Sequence, residues 1–135
     1  MNSDFQTSNL TANGYVGETI DNVIADHFEK LYVFFDTFLE DPKLSLLHTE
    51  SAFRSRLFQT TPTVYSAYHW AADRILSESE LEADCAGSPV GMLCFMLREV
   101  GQFSYMEIAQ MTDLDRQDVG AHIAAMRSRL MGDHN

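Results

Sequence analysis

Five histidines (His27, His48, His69, His122 and His134) and two cysteines (Cys85 and Cys94) are the side chains of this 135-residue chain best suited to metal ligation or nucleophilic chemistry. No two of the histidines fall on one helix face beside a carboxylate, so their spacing predicts no metal site. No serine nucleophile elbow, glycine-rich phosphate loop or paired-cysteine motif occurs, and no carboxylate pair is spaced for acid–base work. Neither an enzyme nor a cofactor is expected. Cys94 sits inside an apolar helical pattern, and with a cytoplasmic location both cysteines are expected to be free thiols.

What remains is binding, and the charge balance constrains it. Lys and Arg number 9 against 20 Asp and Glu, a net of −11, the opposite of what a protein gripping nucleic acid by bulk electrostatics carries. Any DNA contact must be local. With 45% hydrophobic residues the chain can bury the core of one compact domain or of two very small ones. Its longest strongly apolar run, residues 90–97, is far shorter than the roughly 18 to 20 residues that span a bilayer. Residues 1–13 show neither a basic segment nor an apolar one, so no secretory signal is read and the chain is expected in the cytoplasm, away from membranes.

The elements that must position a binding face are helices. Residues 1–17 are polar and aperiodic and read as a flexible leader. From Thr19, apolar residues including Ile20, Val23, Phe28, Leu31, Phe34, Phe35 and Phe38 recur at spacings of three and four, predicting one long amphipathic helix that Asp41-Pro42 stops. Apolar residues cover more than a narrow stripe of it, so a homodimer through helix 19–39 is an expectation. Phe34, Phe35, Phe38 and Trp70 read as core anchors, or else as an exposed docking face for a partner helix. A second helix is predicted from Ser45, turning Leu46, Leu47, Phe53, Leu57 and Phe58 inward, and a third from a Thr61-Pro62 start, with Tyr65, Tyr68, Ala72, Ile75 and Leu76 on one face. Residues 77–88 are acidic and small and read as a solvated linker, or as an acidic arm for a basic partner.

Beyond it, Ser88-Pro89 starts a helix carrying Val90, Leu93, Cys94, Leu97 and Val100, with Gly101 as its left-handed stop. Ser104 and Glu107 form a capping box for a short helix with Ile108, Ala109 and Met111 inward. After a tight turn, in which Asp113 takes a left-handed or bridge conformation, Asp115 caps a last helix with Val119, Ile123, Met126 and Leu130 on one face, ended by Gly132. No segment alternates at period two, so the fold class is all-α: a helical region over 18–76, the linker 77–88, and a three-helix unit over 89–132. A short helix, a turn and a longer helix with the small Ala109 at their crossing make the helix-turn-helix pattern.

Residues 89–130 also resemble a known family. The apolar helix ending in Arg98-Glu99, then Gly101, the string Phe103-Ser104-Tyr105-Met106-Glu107-Ile108-Ala109, the turn, and Val119, Ile123 and Arg127 are similar in order to the promoter-binding C-terminal domain of extracytoplasmic-function sigma factors. Tyr68 through Asp73 are more weakly similar to the other domain of that family, which binds the polymerase clamp and opens the promoter. Yet the first 88 residues hold five basic side chains against fourteen acidic ones, an unusual balance for melting a duplex.

The resemblance implies that the helix 115–130 lies in a major groove, with Arg116, Gln117, Gly120, Ala121, His122, Arg127 and Arg129 at DNA and with Ser104 and Tyr105 at the start of the preceding helix near phosphate. Where the family carries basic residues this chain has His122 and Ala125, and Asp118 would stand near phosphate. Two readings stay open. One is a sigma-like transcription regulator that binds promoter DNA, RNA polymerase or another regulator. The other is a protein-interaction module that keeps the sigma-like shape, binds a sigma antagonist or a polymerase subunit, and leaves DNA alone.

Overall fold

A computed structural model describes residues 19–78 and 89–131; the leader 1–17, linker residues 79–88, Cys85, Gly132 and His134 lie outside them. The described residues form seven helices and no strand: α1 (Ile20–Leu39), α2 (Pro42–Arg54), α3 (Arg56–Thr60), α4 (Val64–Ser77), α5 (Pro89–Glu99), α6 (Tyr105–Thr112) and α7 (Arg116–Met131). None of these helices is long and apolar enough to cross a membrane.

Thr19 caps α1, its Oγ1 accepting from the Asn22 N–H at 3.1 Å. The helix buries Val23, Leu31, Phe34 and Phe35, with Phe38 half-buried beside them. It ends at Glu40, held left-handed at φ 53°, whose N–H donates to the Asp36 carbonyl. The next helix begins almost at once, at Pro42 and not at Ser45. Asp41 Oδ1 accepts from the N–H groups of both Lys43 and Leu44, and Pro42 fills the first turn, where its missing N–H costs nothing. The Asp-Pro pair thus stops one helix and starts another.

The inner face of α2 also differs from expectation. Ser45, Thr49, Ala52 and Phe53 are buried, whereas Leu46 and Leu47 are 43% and 54% exposed. The small polar residues are tolerated inside because each hydroxyl finds a partner: Ser45 Oγ donates to Asp36 Oδ1 at 3.0 Å, and Thr49 Oγ1 to the Ser45 carbonyl at 2.8 Å. A break at Ser55 then rotates the pattern. Its hydroxyl donates to the Ala52 carbonyl and accepts from the Phe58 N–H, so α3 buries Phe58 and leaves Leu57 40% exposed.

The fourth helix starts at Val64, capped by Thr63, rather than at Thr61-Pro62. Thr63 and Ser66 form a reciprocal capping box, which moves the first turn past the proline. Tyr68, Ala71, Ala72 and Ile75 are buried along it, while Tyr65, Trp70 and Leu76 are half-buried.

In α5, Leu93, Cys94, Met96 and Leu97 face inward. The left-handed residue after it is Gln102, at φ 60°, not Gly101. Glycine is needed at 101 for space: a Cβ there would lie 2.5 Å from the Phe103 ring and 2.9 Å from the Leu97 carbonyl oxygen. That tight turn drives Phe103 against Tyr65 and Tyr68, with ring centroids 5.9 and 5.4 Å apart. Helix α4 packs against α1, α2 and α3 and also against α5 and α6, so one cluster of buried side chains runs through residues from both sides of the chain.

Candidate recognition-helix face

Three helices carry the face. Ser104 Oγ accepts from the Glu107 N–H at 3.1 Å, and Glu107 Oε1 accepts from the Ser104 N–H at 2.9 Å, so α6 starts with the expected capping box. This has a chemical cost for the proposed phosphate anchor, because the Ser104 N–H already faces a carboxylate. At the other end Asp113 is left-handed, φ 61° and ψ 34°, and the Ala109 carbonyl accepts from the N–H groups of Asp113 and Leu114. The half-buried Ala109 and Leu114 pack against the core.

Helix α7 buries Val119, Ile123 and Met126. Leu130, expected to continue that row, is 57% exposed. Periodicity assigns the face of a helix but not how far along it the neighbouring elements reach, and here the burial ends one turn earlier.

Of the residues assigned to DNA, Ser104, Arg116, Gln117, Ala121, Arg127 and Arg129 are exposed, and Tyr105, Gly120 and His122 are half-buried. Most of them fall into two groups, with Ser104 at the cap of α6 and Arg116 in the first turn of α7 outside both. Tyr105, Gly120 and Arg127 come together: the Tyr105 ring lies where a Cβ on Gly120 would make ordinary contact at 3.4 Å. Arg98 holds its guanidinium 5.2 Å from the centre of that ring and donates from Nη1 to the Phe103 carbonyl at 2.9 Å. Arg127 Nη2 donates to Glu99 Oε2 at 2.6 Å, a bond that raises the already high pKa of the guanidinium. The second group lies on the outer surface of α7, where helical spacing sets Asp118, His122 and Arg129 in one row and Gln117 and Ala121 in the next.

Glu99 and Arg98 take part in this face's contacts, and spacing could not assign them. They stand at the end of one helix and pair with groups on others, and Glu99 and Arg127 are 28 residues apart. Over residues 89–131 four arginines face five carboxylates, and of these arginines Arg116 and Arg129 have no ion pair, carbonyl or ring contact among the described residues.

Elsewhere, a half-open cavity of about 140 Å³ is lined by Trp70, Asp73, Arg74 and Ser77. It is well below the few hundred Å³ of ordinary ligand sites. No group of three His, Cys, Asp or Glu side chains among the described residues could hold a metal ion. Comparison of the chain with protein-family models, with curated proteins and with solved structures finds no match.

Proposed function

We propose that this chain is a sigma-like transcription regulator that acts chiefly by protein contact, presenting α6 and α7 to RNA polymerase or to a regulator of sigma factors, with no chemistry of its own. The observation that carries this reading is the Glu99–Arg127 bond of 2.6 Å. It takes up a guanidinium that the groove-binding alternative needs for phosphate, on a unit that already lacks excess positive charge. The capped Ser104 N–H works in the same direction. Such a regulator belongs in the cytoplasm with polymerase.

A second reading, direct promoter binding, is favoured by the exposure of Arg116, Gln117 and Arg129 on α7. Titrating the intact chain against labelled duplex DNA across a salt series, alongside co-purification with RNA polymerase core enzyme, separates the two. Protein contact predicts a retained polymerase complex and a DNA affinity that is weak and nearly flat in salt. Groove binding through two free arginines predicts a slope of log K against log salt near −2.

A further inference from the structure

We draw no further inference here: the strongest candidate, the surface strip of exposed leucines Leu46, Leu47 and Leu57 on α2 and α3, lies among three acids and three cations over residues 40–56, and nothing in the structure shows what covers it.

Discussion

Arg127 and Glu99 tie the last helix to the end of α5 through one short charge-assisted bond of 2.6 Å, with side chains 45% and 42% exposed. A pair this exposed contributes little to stability, and it sets where the guanidinium rests when no other anion competes for it. Glu99→Ala, which removes the acceptor altogether, should therefore leave the melting temperature nearly unchanged and free Arg127. If the face meets DNA, affinity rises and the salt slope steepens by about one unit. An unchanged slope means that Arg127 does not reach phosphate.

Gly101→Ala should destabilise the fold by about 1 to 3 kcal/mol, the range for overpacking at a filled site. The added methyl would meet the Phe103 ring at 2.5 Å and the Leu97 carbonyl at 2.9 Å, and the carbonyl cannot move without disturbing the end of α5. Urea denaturation of the variant checks this. Equal midpoints would show that Phe103 swings aside.

Tyr68 is 1% exposed and its hydroxyl has no hydrogen-bond partner among the described residues. Burial pushes its pKa up to about 12. Tyr68→Phe keeps the edge-on packing against Phe34 and Phe103, at 5.3 and 5.4 Å, and removes the unpaired group. It should stabilise the protein by about 1 kcal/mol, measured by the same denaturation.

His48 gives the fold a pH dependence of defined sign. Its ring lies 5.4 Å from Phe35 and 6.5 Å from Trp70, with Nε2 3.7 Å from Glu78. Burial lowers its pKa from the ordinary 6.5; Glu78 opposes this and Arg74 adds to it. The unfolded chain therefore takes up the proton first, and stability falls as pH drops below 6.5 toward the lowered value. His48→Gln should flatten that part of a stability profile recorded from about pH 7 down to about pH 5. An equal decline in the variant would assign the effect to carboxylates.

The helices themselves were legible because their signals are local. The capping box at Ser104 and Glu107 and the left-handed Asp113 depend on neighbours within four residues, and both stand as read. The helix starts near Pro42 and Pro62 differ from expectation because Asp41-Pro42 and Thr61-Pro62 each allow more than one cap; the Asp41 carboxylate takes the first, and the Thr63 and Ser66 hydroxyls take the second. The inward assignment of Leu46, Leu47 and Leu57 failed for another reason: hydrophobicity outranks serine and threonine in any pattern, yet Ser45 and Thr49 are buried through bonds to Asp36 and to the backbone. The candidate site was legible as a list of arginines. Which arginine is already engaged depends on contacts such as Glu99 with Arg127, and no local spacing encodes those.

Helix α4 is a wall shared by two rooms. Because α1 to α3 and α5 with α6 all lean on it, neither set keeps its packing once that wall is gone. Heat should therefore meet one cooperative transition rather than two, and overpacking at the buried Ala71 or Ala72, or a helix break placed there, should loosen the α6 and α7 face without touching it. The proposed α6 and α7 contact face is thus kept in shape by side chains it never displays.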